Sequence, residues 1–210
     1  RIAPSQGNLR LIRNTGGRNG MDRSQGGGRC THKLECLFTP QEVSEQVARV
    51  AGEITESYGK VPEPVVIVCV LKGAFVFFAD LIRSIDFDTE VEFVRLASYG
   101  SGTAPSQEIS FSHDVETSLQ GKHVLIVEDI VDTGHTVEYL ARQFRARDPA
   151  SLGICSLIHK LERHEAGFVP DFSCFTVESG FLVGCGLDYA ECYRGLPGIH
   201  EVHFLQPEEG

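Results

Sequence analysis

Three carboxylates, Glu128, Asp129 and Asp132, follow the apolar run Val124-Leu125-Ile126-Val127 and stand directly ahead of Thr133-Gly134-His135-Thr136. Carboxylates at the carboxyl end of a buried strand are costly to desolvate unless a ligand or a reaction justifies them. The turn behind them suits a phosphate. Gly134 lets backbone N–H groups converge, Thr133 and Thr136 add hydroxyl donors, and a helix opening there contributes a positive dipole. Acids beside such a cradle point to a ligand carrying both hydroxyls and a phosphate, for example a ribose 5-phosphate. Asp132 taken alone also reads as a helix cap; three clustered acids do not reduce to capping, given how strongly buried charge is penalised.

Several elements must position these residues. Thr39-Pro40-Gln41-Glu42 is a capping box with Pro at the first helical position. The helix it opens places Val43, Val47, Val50, Ala51, Ile54 and Tyr58 on one face. Beyond Pro62 and Pro64 the pattern predicts a strand over Val65–Leu71, a turn at Lys72-Gly73, a helix over Ala74–Ile85 and a strand over Val91–Ser98. Tyr99–Leu119 is polar and reads as a long loop, a length usually reserved for functional lids or disorder. There follow a strand over Lys122–Glu128, a helix over Gly134–Arg147, a strand over Leu152–His159 and a loop through Pro170. Short strands close the chain near Phe172–Val177, Leu182–Cys185 and His200–Leu205. Alternating units with wholly apolar strands predict an α/β fold with a parallel sheet covered on both faces. Ligands in such sheets bind beyond the carboxyl ends of the strands. Lys72-Gly73, Ser98-Tyr99, Glu128–Thr136 and Lys160 all fall there, so they are expected to share one crevice.

Charge and composition narrow the field. Residues 1–30 hold six of the 19 basic residues but one of the 29 acids, which leaves 13 basic against 28 acidic side chains for the rest. A body at −15 argues against general nucleic-acid binding. No apolar run reaches the roughly 18 residues of a membrane span, and no secretory signal pattern is present, so a cytoplasmic protein is expected. Seven Cys, none in a Cys-x-x-Cys pair, fit reduced thiols. Cys69 and Cys155 look like core residues, and Cys30, His32 and Cys36 lack the second ligand pair of a zinc site. Residues 1–36 read as a disordered or non-native extension, with Met21 a candidate start and an Arg-rich transit peptide the alternative, and residues 37–210 as one folded domain.

The segment Val124–Thr136 closely resembles the phosphoribosyl-diphosphate (PRPP) signature of the type I phosphoribosyltransferases, and it differs from both the Walker A and the Rossmann patterns. Over roughly residues 37–206 the resemblance narrows to the hypoxanthine-guanine phosphoribosyltransferases. It implies a mostly parallel twisted sheet flanked by helices, with a small hood built from the chain ends. It implies magnesium-dependent transfer of the 5-phosphoribosyl group of PRPP to a 6-oxopurine, hypoxanthine or guanine, giving IMP or GMP and pyrophosphate in purine salvage. A homodimer or homotetramer is implied too. Alternatives are a preference for xanthine or another base, or an RNA-binding regulator on the same fold, which the acidic body disfavours.

By this resemblance Glu128 and Asp129 meet the ribose hydroxyls, Asp132 is the base at purine N7 and also belongs to the PRPP ribose and 5-phosphate set, and Thr133, Gly134, His135 and Thr136 hold the 5-phosphate. Val70-Leu71-Lys72-Gly73 matches the pyrophosphate loop, where a non-proline cis bond precedes the Lys. Ser98 and Tyr99 begin a lid over the reacting centre, and Arg194 contacts pyrophosphate. Ile130, Lys160, Phe181, Leu182 and Asp188 are implied around the purine, with Glu128, Asp129 and Asp188 also implied as Mg2+ ligands. Lys160 favours a 6-oxo group over the adenine amino group, since an ammonium only donates. Taken alone, Lys160 also reads as a surface residue, Phe181 as core, and Asp188 with Arg194 as a surface ion pair. Cys185 and Gly186 stand where some relatives carry bulkier residues and are expected to loosen the base pocket. His113, His159 and His164 are read as incidental.

Overall fold

The computed structural model describes residues 32–99, 108–162 and 169–205. In chain order the elements are β1 (His32–Phe38), α1 (Pro40–Tyr58), β2 (Val65–Leu71), α2 (Phe75–Ser84), β3 (Glu90–Tyr99) and β4 (Glu108–His113). β5 (His123–Val131), α3 (His135–Arg145), β6 (Ser151–Lys160), β7 (Phe172–Val177), β8 (Leu182–Val183) and β9 (Ile199–Phe204) complete it. Six strands form one sheet in the order β4-β3-β2-β5-β6-β7, parallel except for the edge pair β3–β4. A separate antiparallel sheet, β1-β9-β8, joins the two ends of the described chain as a hood.

The strand sequences explain why both faces are covered. In β2, Val65, Ile67 and Cys69 enter a core with α1 and α2, while Val66, Val68 and Val70 enter a second core with α3. β5 divides the same way: Leu125 and Val127 face α1 and α2, and Val124 and Ile126 face α3. A period of two applied to a solid apolar run fills two cores at once. α1 buries the six residues its spacing predicted, and its capping box is intact: the Glu42 N–H donates to Thr39 Oγ1 at 3.3 Å and the Thr39 N–H to Glu42 Oε2 at 2.9 Å. Such a cap contributes about 1 kcal/mol.

Three expectations change. Residues 32–36, read as the end of an extension, are strand β1, paired residue for residue with β9 from His32↔Phe204 to Cys36↔His200. The pairing partner lies at the other end of the chain, so no local pattern announces it. The stretch read as a loop, Tyr99–Leu119, contains β4 and ends in Leu119, which is buried. Ile109 and Phe111 alternate with Ser110 and Ser112, a strand period in a segment with few apolar residues. Phe111 stacks on Phe144 and meets Tyr139 of α3, and Arg147 lies over the rings of Phe111 and Phe144 while its guanidinium grips Asp114 at 2.6 and 3.0 Å. Finally, β5 continues to Val131, because its pairing with β6 runs on to Val131↔His159. Glu128 and Asp129 therefore lie within the strand. The segment 1–31, including Cys30 and Met21, is outside the described residues.

Candidate active site

The strand order reverses between β2 and β5: the chain winds outward through β3 and β4, then returns to place β5, β6 and β7 on the other side. At such a switch point the two loops leaving adjacent strands diverge and open a crevice. β2 and β5 pair as far as Cys69↔Val127. Past that pair the chain presents Lys72-Gly73 on one side and Glu128–Thr136 on the other. Parallel pairing with β6 then brings Lys160, its last residue, alongside the end of β5.

Glu128 is buried, and burial pushes its carboxyl well above the ordinary value, with the neighbouring Asp129 charge adding to the effect. Burial likewise pushes Asp129 up to about 6. The Ile130 N–H, which donates to Asp129 Oδ1 at 2.8 Å, and the Arg194 guanidinium oppose that rise; Asp188 adds to it. Two desolvated carboxyls side by side are held at a cost to the fold, the pattern of groups kept for a ligand.

The turn behind them is built as a cradle. Gly134 adopts φ +84°, a conformation open to glycine, and stands at the N-cap of α3 with no side chain capping the helix amides. α1, away from the crevice, has its full capping box; α3, at the crevice, has none. A helix start of this kind can receive an anion. Thr133 Oγ1 lies 3.5 Å from the His135 N–H, a long contact that leaves the turn loosely closed.

On the opposite wall the Leu71–Lys72 peptide is cis, as the family resemblance implied. A Cβ on Gly73 would overlap the Asp129 carboxylate, and a Cβ on Gly186 (φ +103°) would overlap the Gly73 carbonyl. Two glycines thus let three chain segments close on one another. Gly73→Ala is expected to lower kcat/KM about 100-fold by displacing Asp129, the scale on which a 1 Å misplacement acts. Steady-state kinetics checks it, with near-parental activity as the contrary outcome. Gly186 packs on Gly73 and Val76, and Cys185 is buried with its thiol against the Pro197 carbonyl at 3.2 Å. Gly186 therefore packs on the Lys72-Gly73 side of the crevice, while the Cys185 thiol lies beside Pro197.

Lys160 is buried and its Nζ lies 3.7 Å from Asp132 Oδ2. An ammonium at that depth is no surface residue; it sits beside the acid assigned as base. Neighbouring His159 is buried as well. Ile130, in register with Ile158, is half-buried at the margin of the α1–α2 core. Leu182 is buried in β8 opposite Glu201. Phe181 is 45% exposed, too open for a core residue, and its ring is steadied edge-on by Tyr189 (5.6 Å) and Phe204 (6.1 Å). Ser98 and Tyr99 close β3, in register with Ile109 and Glu108; their side chains lie outside the described residues, as does His164.

Asp188 and Arg194 form an ion pair at 2.8 Å, and Arg194 also donates to the Gly186 carbonyl at 2.8 Å. Because Arg194 and Asp188 both act on the Asp129 charge, this pair belongs to the crevice rather than to open surface. Among the described residues no three His, Cys, Asp or Glu side chains stand ready as a metal cage. Magnesium needs none: it is commonly held by one or two carboxylates, waters and the substrate's own phosphates. Glu128 and Asp129 fit that pattern, and Asp188, paired with Arg194, stands close enough to act on the Asp129 charge.

Sequence reasoning missed two parts. One is Glu191, whose carboxylate bridges Lys72 (2.9 Å) and Arg194 (3.3 Å). The other is the aromatic group behind Phe181: Tyr189, Phe204 and His32, the last 2.7 Å from the Tyr193 hydroxyl. Their only signal was clustering of aromatics near both chain ends.

Comparison with known proteins identifies the family and the fold. Residues 37–190 match the phosphoribosyl transferase domain family. The chain is 37% identical over 174 residues to hypoxanthine phosphoribosyltransferase of Escherichia coli, covering 83% of this chain and 98% of that protein. It is 40% identical over 164 residues to hypoxanthine-guanine phosphoribosyltransferase of Streptococcus pneumoniae R6, 78% and 89% of the two chains. Among solved structures, a Bacillus anthracis hypoxanthine-guanine phosphoribosyltransferase superposes with TM-score 0.73 at 34% identity, over 80% of this chain and 96% of that one. A Staphylococcus aureus hypoxanthine phosphoribosyltransferase gives 0.74 at 33%, over 83% and 92%. A match to the family over residues 37–190, a shared overall fold and relatives aligned over nearly their whole length lead to one conclusion: the chain belongs to the phosphoribosyl transferase family.

Proposed function

We propose that the protein is a purine salvage enzyme that transfers the 5-phosphoribosyl group of PRPP to hypoxanthine or guanine, giving IMP or GMP and pyrophosphate. The observation that carries this reading is the buried Lys160–Asp132 pair beside the phosphate cradle. Lys160 offers hydrogens to the purine 6-oxo group while Asp132 accepts the proton at N7 as N9 bonds to the anomeric carbon. The C1–O bond to pyrophosphate breaks with its electron pair on the leaving oxygen.

The other residues follow from their places. The uncapped amides of α3, with Thr133 and Thr136, hold the 5-phosphate. Glu128 and Asp129 hold the ribose hydroxyls and face the positive charge that develops at the anomeric carbon. Lys72 and Arg194 hold the pyrophosphate, and Phe181 stacks on the base. Mg2+ fits Glu128 and Asp129, where it would neutralise the phosphates of the leaving group. Ser98 and Tyr99 would begin a lid that excludes water from the reacting centre. The exposed apolar side chains Phe75, Val91 and Phe93 on α2 and β3 support assembly as a homodimer or homotetramer. A cytoplasmic location accords with the free thiols Cys36 and Cys192 at the surface.

Steady-state assays with PRPP, magnesium and each of five bases test the reading: hypoxanthine and guanine are expected as substrates, and activity with adenine alone overturns it. Lys160→Met, which keeps the length and removes the donors, is expected to raise KM for hypoxanthine about 10- to 100-fold, the cost of losing a charged hydrogen bond. An unchanged KM removes Lys160 from the base site.

A further inference from the structure

Glu191 divides its two carboxylate oxygens between two cations on separate loops, Oε1 to Lys72 Nζ at 2.9 Å and Oε2 to Arg194 Nη2 at 3.3 Å. Lys72 and Glu191 are 119 residues apart in sequence, so the fold brings them together. The backbone around the acid is specially held. Ala190, Glu191 and Tyr193 all have positive φ (51°, 62° and 73°), unusual for residues with side chains. The Glu191 N–H donates to Asp188 Oδ2 at 2.8 Å, and His32 of β1 lies 2.7 Å from the Tyr193 hydroxyl. The loop is thereby pinned at both ends while the Glu191 side chain stays 64% exposed. An exposed carboxylate on a pinned loop can swing away without disturbing the core.

Bridging two cations is what an oligophosphate would do there. We infer that Glu191 is an internal competitor for the pyrophosphate subsite: its carboxylate occupies Lys72 and Arg194 until PRPP or pyrophosphate displaces it. This rests on the placement of Lys72 and Arg194 at that subsite. The exchange is purely non-covalent: two ion pairs to a carboxylate are given up for ion pairs to phosphate oxygens. Glu191 weakens binding of every ligand that carries the pyrophosphate group, substrate and product alike. Ligands that leave the subsite empty, such as IMP, are indifferent to it. Easier pyrophosphate release is the consequence for turnover.

The test is titration calorimetry of inorganic pyrophosphate and, separately, of IMP, in magnesium buffer, on the parent chain, Glu191→Gln, Glu191→Ala and Lys72→Ala. Both Glu191 variants are expected to bind pyrophosphate about three- to tenfold more tightly, the range that releasing two partly exposed ion pairs allows. KM for PRPP should fall by a like factor, with IMP affinity held within about twofold, because no shared contact is altered. Unchanged or weaker pyrophosphate binding overturns the inference, and so does an equal gain for IMP. The Lys72→Ala arm separates the two levels of the argument. If Lys72→Ala weakens pyrophosphate binding while the Glu191 variants leave it unchanged, the subsite stands and the competitor falls. If Lys72→Ala binds pyrophosphate as the parent does, both fall.

Discussion

Asp132→Asn is expected to lower kcat by about 10²–10⁴-fold, the usual contribution of a positioned general base, while PRPP binding stays within about threefold because the shape of the site is kept. The amide preserves the side chain's volume but cannot take the proton from purine N7. Its oxygen can still face Lys160, whose Nζ lies 3.7 Å from Asp132 Oδ2, so the base site keeps its geometry. The readout is the split between kcat and the dissociation constant of PRPP, from single-turnover kinetics and calorimetry. A parallel fall in PRPP affinity would make contact with the ribose or phosphate the main role of Asp132. Unaltered turnover would remove it from the chemistry altogether.

Asp129→Asn should act in opposite directions on stability and function. Burial raises the Asp129 carboxyl to about 6 in the folded chain, so the folded protein retains a proton that the unfolded chain loses near pH 4. Folding therefore becomes less favourable as pH rises from about 4 to about 6, and the penalty persists in full above that window. A shift of about two pKa units corresponds to ~3 kcal/mol, on the order of 5–10 °C in Tm for a chain of this size. The Asn variant is expected to melt that much higher than the parent at pH 8, the difference shrinking toward pH 4, because the amide carries no charge to desolvate. Its oxygen can still accept the Ile130 N–H that Asp129 Oδ1 accepts at 2.8 Å. PRPP affinity should fall about 10- to 100-fold with the loss of charged hydrogen bonds to the ribose. Thermal melts across pH and the KM for PRPP check both halves. A variant that melts lower at pH 8 would show that the charge stabilises the fold.

The relation between sequence and site differs from segment to segment. α1 was legible because its capping box and its six apolar positions are local signals, and it buries those six residues. β2 was legible as a solid apolar run, and its bounds coincide with the expected Val65–Leu71. β4 was hidden because an edge strand needs one apolar side: Phe111 alone finds ring partners, in Tyr139 and Phe144 of α3. β1 was hidden because its ladder is formed with residues at the far end of the chain. The site shows the same division. Glu128, Asp129, Asp132 and Gly134 stood out by density within one short segment, whereas Glu191 is one acid among 29 until folding sets it against Lys72.

Read alone, the order of residues determined which side chains could hold a phosphorylated sugar, because strand period, turn chemistry and clustered charge are all encoded within a few neighbours. Only the tertiary structure decided how the crevice is walled: which glycines admit Asp129, how deeply Lys160 is set beside Asp132, and which acid bridges Lys72 and Arg194. The physical reason is range. Backbone preference and hydrophobic period act over one or two turns of chain, while desolvation and ion pairing depend on groups that reach one another only once β2, β5 and the hood have packed.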